Sequence, residues 1–175
     1  MKFFLIIVML TSMSSNIIFD FNEKSNVKEW VITNDVVMGG KSSSTFGLSP
    51  KGHGLFKGAI SLDNNGGFCS VKHKLERKLI KNFTTIALRI KGDGKNYQLR
   101  IKSNSGDYFS YIIIFSTNGD WQEIQIPLKD MYPSFRGRKL DKPNFSEDYI
   151  EEIGFLFGNK TEENFQLMID KIELK

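Results

Sequence analysis

The stretch Ile86-Ala87-Leu88-Arg89-Ile90-Lys91-Gly92-Asp93-Gly94-Lys95-Asn96-Tyr97-Gln98-Leu99-Arg100-Ile101-Lys102 holds two alternating runs on either side of a glycine-rich break. Successive side chains of a strand point to opposite faces, so Tyr97, Leu99 and Ile101 share one face while Gln98, Arg100 and Lys102 share the other. Ile86 to Lys91 nearly repeats that pattern. Two half-buried antiparallel strands are expected, with Gly92 to Asn96 as a hairpin turn between them.

The same punctuation extends in both directions. Downstream, Trp121 to Leu128 alternates, and Tyr108 to Phe115 is apolar on both parities, the pattern of a central strand covered on two faces. Ile153 to Phe157 reads as a buried strand. Phe165 to Leu174 is the last, and its apolar parity switches at Asp170-Lys171, where a bulge is expected. Upstream strands are expected at Ile17 to Phe21, Trp30 to Thr33, Leu55 to Leu62 and Phe68 to Lys74. The one helical signal is Ser146 to Glu152, where Ser146 is a candidate N-cap before a first turn rich in acids. Many short strands with almost no helix predict an all-β antiparallel β-sandwich.

The chain has 175 residues, 40% hydrophobic and 13% aromatic, with fifteen phenylalanines. That suits one domain with a substantial core. The net charge of +4 comes from scattered lysines. No basic run marks a nucleic-acid partner, and none is expected. Met1 to Ser15 carries one lysine, a short apolar run and then small polar residues, the order of a secretory signal cleaved after Ser14. The run falls short of the roughly 18 residues of a spanning helix, so no stable membrane insertion is expected. The expected division is a signal at residues 1–15 and a single domain at 16–175, exported to the periplasm or medium. Cys69 is the only cysteine and reads as a small buried hydrophobe.

Two glycine-asparagine blocks are the candidate binding loops: Asn34-Asp35-Val36-Val37-Met38-Gly39-Gly40-Lys41-Ser42 and Asn64-Asn65-Gly66-Gly67-Phe68. Each doubles its glycine behind a side-chain amide or carboxylate, which lays bare backbone for a neighbouring loop or a ligand. Site candidates here are Asn34, Asp35, Met38, Gly39, Gly40, Asn64, Asn65, Gly66, Gly67 and Phe68. Trp121, after Asn118-Gly119-Asp120, is either an aromatic platform or the buried start of a strand. Arg136 and Arg138, in a loop between Pro133 and Pro143, either fork onto carboxylates or phosphates of a partner or pin down their own loop. Asp20 and Asp170 would share a calcium only if the first and last strands are neighbours.

Catalytic constellations are missing from the pattern. His53 and His73 lack metal-site spacing, no GxSxG elbow occurs, and Gly92-Asp93-Gly94 leads into a strand where a dinucleotide loop would open a helix. No enzyme activity, cofactor or metal is therefore expected.

Taken in order, Trp30, the Asn34 to Ser42 block, Phe56-Lys57-Gly58, Ser61 to Val71, Gly92-Asp93-Gly94 with Tyr97, Trp121 with Ile126-Pro127-Leu128, Phe135 to Arg138, and Phe165 to Ile172 resemble the complex I intermediate-associated protein 30 family. The resemblance spans about residues 17 to 175. It implies a jelly-roll sandwich of the galactose-binding type and a non-catalytic role. The family's mitochondrial members are assembly factors for respiratory complex I, and the fold is shared with carbohydrate-binding modules. The expectation is a chaperone-like or assembly-related module with a protein partner. The alternative is a secreted or periplasmic carbohydrate-binding module, with Trp121 or Tyr132 stacking on a sugar.

Overall fold

The computed structural model describes residues 16–175; the signal expected at 1–15 lies outside the described residues. Among the described residues thirteen strands form two antiparallel sheets packed face to face. In chain order they are β1 (Ile17–Asp20), β2 (Trp30–Asn34), β3 (Ser43–Leu48), β4 (Gly54–Ala59), β5 (Cys69–Leu79), β6 (Thr85–Lys91) and β7 (Asn96–Lys102). β8 (Ser110–Ser116), β9 (Trp121–Pro127), β10 (Tyr132–Phe135), β11 (Arg138–Lys139), β12 (Tyr149–Phe157) and β13 (Asn164–Leu174) follow. One sheet runs β3-β4-β13-β6-β9 with β1 paired to β13, and the other runs β11-β10-β8-β7-β12-β5-β2. The fold is a β-sandwich of the jelly-roll type.

Alternation places the core where the sequence predicts it. Tyr97, Leu99 and Ile101 from β7 meet Ile153, Phe155 and Phe157 from β12, and the opposite sheet supplies Ile86, Leu88, Ile90, Leu167 and Ile169. Trp30 stacks on Phe46 at 4.9 Å and on His73 at 5.1 Å between ring centroids, closing one side of the core. Cys69 is buried, and desolvation pushes its thiol up to about 11, with the Ser44 hydroxyl acting against this and the Asp35 charge adding to it.

Three expectations need correction. β6 and β7 do not form a hairpin, because they belong to different sheets: β6 pairs with β9 and β13, β7 with β8 and β12. Gly92 to Asn96 instead carries the chain across the sandwich. Asp93 fastens that crossing by accepting from the Tyr97 hydroxyl at 2.9 Å, Lys95 Nζ at 3.0 Å and the Gln166 N–H at 3.0 Å. The helical turn expected from Ser146 is not formed, since Tyr149 and Ile150 join β12 opposite Leu79 and Lys78, and the fully buried Ile150 decides the contest. β8 is not covered on both faces, because Ile114 is exposed. The parity switch in the last strand is a register shift between Ile169 and Lys171, as expected.

Candidate functional site

The two glycine-asparagine blocks meet, and a carboxylate joins them. Asp35 is fully buried. It accepts hydrogen bonds from the Ser42 N–H at 2.9 Å, the Ser42 hydroxyl at 2.5 Å, the Gly67 N–H at 2.6 Å and the Phe68 N–H at 3.3 Å. Burial pushes its pKa up, but the Ser42 hydroxyl and the three N–H donors outweigh it and hold the carboxyl below its ordinary value. The doubled glycines make room for this carboxylate. A Cβ on Gly40 would lie 2.5 Å from Asp35 Oδ1, and one on Gly66 2.6 Å from Oδ2. The backbone that these glycines uncover is thus turned inward, onto Asp35.

Further bonds tighten the pair. The Asn64 side chain donates to the Gly39 carbonyl at 3.0 Å, Ser44 Oγ donates to Asn34 Oδ1 at 2.7 Å, and Lys41 Nζ lies 2.7 Å from Asp63 Oδ2. Asn64 and Asn65 both sit at positive φ, 55° and 59°, a conformation that asparagine tolerates better than most residues.

What this knot presents outward is apolar. Asp35–Met38 form one 3-10 turn, ended by Gly39 at φ 90°. Val36, Val37 and Met38 are 60%, 71% and 55% exposed. Leu62, from the second loop, is exposed too. Met38 was among the sequence candidates; Val36, Val37 and Leu62 were not. The signal available was three consecutive apolar residues inside an otherwise polar, glycine-rich loop. A groove of about 580 Å³ opens beside the knot, lined in part by Ser43, Thr45, Lys57, Ala59, Lys95 and Phe165.

The other candidates lie elsewhere. Arg136 and Gly137, at φ 49° and 75°, are the two central residues of the tight hairpin that joins β10 to β11. The long arginine loop expected between the prolines is therefore a two-residue turn. It sits at the edge of its sheet opposite β2, away from the two glycine-asparagine loops, so the three loops do not form one surface. Arg136 lies over the Phe135 ring at 5.3 Å, and Arg138 is exposed. Trp121 heads the edge strand β9 at 37% exposure, with the His53 ring against it at 4.6 Å and Arg89 at 5.9 Å. β1 and β13 are neighbours, but Asp170 is engaged by Arg89 at 2.9 Å and His53 at 3.0 Å, and Asp20 lies 3.9 Å from Lys171. Among the described residues no cluster of three or more His, Cys, Asp or Glu could hold a metal ion, and no helix is long and apolar enough to cross a membrane.

Residues 19–169 match the family model described as Complex I intermediate-associated protein 30 (CIA30). The chain belongs to the CIA30 family. Its relatives include the protein named complex I intermediate-associated protein 30, mitochondrial, from Mus musculus, 27% identical over 90% of this chain and 55% of that protein. The Drosophila melanogaster protein of the same name is 26% identical over 92% of this chain and 63% of its own length. The chain thus spans little more than half the length of these relatives. Their names correct the expectation of export, since CIA30 relatives are named mitochondrial. One lysine, an apolar run and hydroxyl residues without acids do not distinguish a secretory signal from other targeting segments. Among solved structures, a family 11 carbohydrate-binding module from Clostridium thermocellum, in complex with a mixed-linked β-1,3-1,4 tetrasaccharide, superposes with a TM-score of 0.68. It is 19% identical, over 91% of this chain and 94% of that one, which is a likeness of fold alone.

Proposed function

We propose that this chain is a non-catalytic binding module that holds a protein partner during assembly of a respiratory complex in mitochondria. The observation that carries this reading is the exposed Val36-Val37-Met38 turn, held rigid from beneath by Asp35. Apolar side chains in a turn gain nothing from the fold that exposes them. Covering such a side chain contributes about 1.5–3 kcal/mol, and a contact surface already locked in shape loses little entropy on binding. The names of the CIA30 relatives, which refer to association with complex I intermediates, support a partner of that kind.

The test is affinity capture from a mitochondrial extract of the native host, with the unaltered chain and Val37→Asp as paired baits. Val37 is exposed, so the substitution leaves the fold intact. Recovery of complex I subunits by the first bait and their loss from the second is the expected result. Equal recovery by both would remove the turn from the contact, and recovery of glycans alone would replace the reading with a carbohydrate-binding one.

A further inference from the structure

The outer face of the seven-stranded sheet gathers charged and apolar residues apart from the Val36-Val37-Met38 turn. Its strands alternate, so the residues between the core positions of β7, β8 and β12 face away from the sandwich. Across the middle of the sheet the register sets Tyr132 beside Ile112, Ile112 beside Arg100, Arg100 beside Gly154 and Gly154 beside Lys72. The next row places Glu152 between Lys102 and Lys74.

Although these side chains point outward, the centre of the face is recessed. Ile112 is only 4% exposed, yet its neighbours Tyr111 and Phe115, not Ile112 itself, pack into the core. Ser110 and Ser134, paired on the same outer face, are buried as well. Gly154 keeps the floor of the recess low, since a Cβ there would come within 2.5 Å of the Val71 carbonyl.

Arg100 stands in this recess with little to hold it. Its Nη1 donates to Gln98 Oε1 at 3.0 Å, and among the described residues no carboxylate lies within 4.0 Å of the guanidinium. Glu152 is engaged by Lys72 at 3.7 Å and Lys102 at 4.0 Å instead. Desolvation lowers the pKa of Arg100, with Glu152 and Tyr132 pulling it back up. A guanidinium has five donors in a planar fork that matches a carboxylate, and leaving most of them unfilled in a recess is unfavourable. Lys72, Lys74, Arg100 and Lys102 face Glu152 alone across the two rows, so the surface is complementary to negative charge.

We propose that this recess binds an extended acidic segment of a protein partner, with one carboxylate forked onto Arg100 and further acids meeting Lys72 and Lys74. Ile114 and Leu156, on either side of Gln98 in the adjoining row, offer apolar surface beside that fork, suited to aliphatic side chains. A polysaccharide fits less well. Tyr132 is the only ring on these rows, and Lys139 Nζ lies over it at 5.3 Å, where a sugar would have to stack.

The experiment measures binding of fluorescein-labelled deca-glutamate to the full chain by anisotropy, with deca-galacturonate as the competing acid. Arg100→Gln weakens peptide binding tenfold or more, Arg100→Lys restores only part of it, and Lys57→Gln, on the other sheet, changes it less than twofold. Val37→Asp leaves it unchanged, so this site and the turn are tested separately. In the unaltered protein, bound peptide protects Arg100 from phenylglyoxal, a readout that needs no variant. Equal effects of Arg100→Gln and Lys57→Gln, absence of protection, failure of the peptide to bind, or tighter binding of galacturonate than of peptide would each overturn the assignment.

Discussion

The Oδ2 atom of Asp35 accepts the backbone N–H of Gly67 at 2.6 Å, across 32 residues of sequence. One buried carboxylate thereby does for two loops what a ladder of backbone bonds does for two strands. The exposed apolar turn at Val36 to Met38 depends on it, because the residues that follow and those that face it are fastened to the same atom pair.

Replacement of Asp35 by alanine leaves the Ser42, Gly67 and Phe68 N–H groups without their acceptor. Hydrogen bonds to charged groups contribute about 1.5–3 kcal/mol each and are not additive, so a loss of about 3–5 kcal/mol is expected. Asp35→Asn keeps the shape but presents an amide donor toward N–H donors, and it recovers less than half of that loss. Urea denaturation of the three proteins measures both values. A loss below 1 kcal/mol for Asp35→Ala would show that the loops hold together without the carboxylate.

Acid is expected to weaken the same knot. The folded-state pKa of Asp35 lies below its ordinary value of 3.8. A depressed carboxyl contributes stability that is complete above the unfolded-state pKa and is lost as pH falls through the folded-state pKa. Melting temperature should therefore fall more steeply below about pH 4 in the unaltered chain than in Asp35→Asn, which has no carboxyl at that position to titrate. Parallel melting curves for the two proteins between pH 5 and pH 2 would contradict this.

Neighbouring glycines should respond differently to the same substitution. Gly40→Ala drives a Cβ against Asp35 and is expected to cost about 2 kcal/mol or more by overpacking. Gly39→Ala meets nothing within 4 Å and costs only the strain of positive φ, about 1 kcal/mol, and Gly39→Asn costs less. Thermal melts of the three variants rank them. The reverse order would mean that the loop, and not Asp35, yields.

The buried thiol of Cys69 serves as a probe of opening. With its pKa pushed up to about 11 and no exposed surface, it stays unreactive at pH 8 while the domain is folded. Labelling with a disulfide reagent should follow the fraction unfolded, so a variant 3 kcal/mol less stable labels about a hundredfold faster. Fast labelling of the unaltered chain would mean that the loops over Cys69 open on their own.

Most strands were legible because their signal is local. Alternation at Tyr97 to Lys102 and the parity switch at Asp170-Lys171 depend only on the two-residue repeat of a pleated chain. β3 was not predicted, since Ser43-Ser44-Thr45-Phe46-Gly47-Leu48 is a polar edge strand with weak alternation. β10 and β11 were missed because prolines mark a loop unless a partner strand is known.

The candidate residues around Asn34 and Asn64 were visible as unusual turn chemistry, but their purpose was not. The sequence by itself determined the strand periodicity, the all-β class and the family, because each rests on short-range pattern or on the order of motifs along the chain. Tertiary structure alone decided that Gly92 to Asn96 crosses between sheets, that Arg136 lies at the far edge from Asn34, and that Asp35 holds Gly67. The reason is physical: a strand's own residues specify which of its faces is apolar, whereas its neighbour is chosen by the packing of every other strand at once.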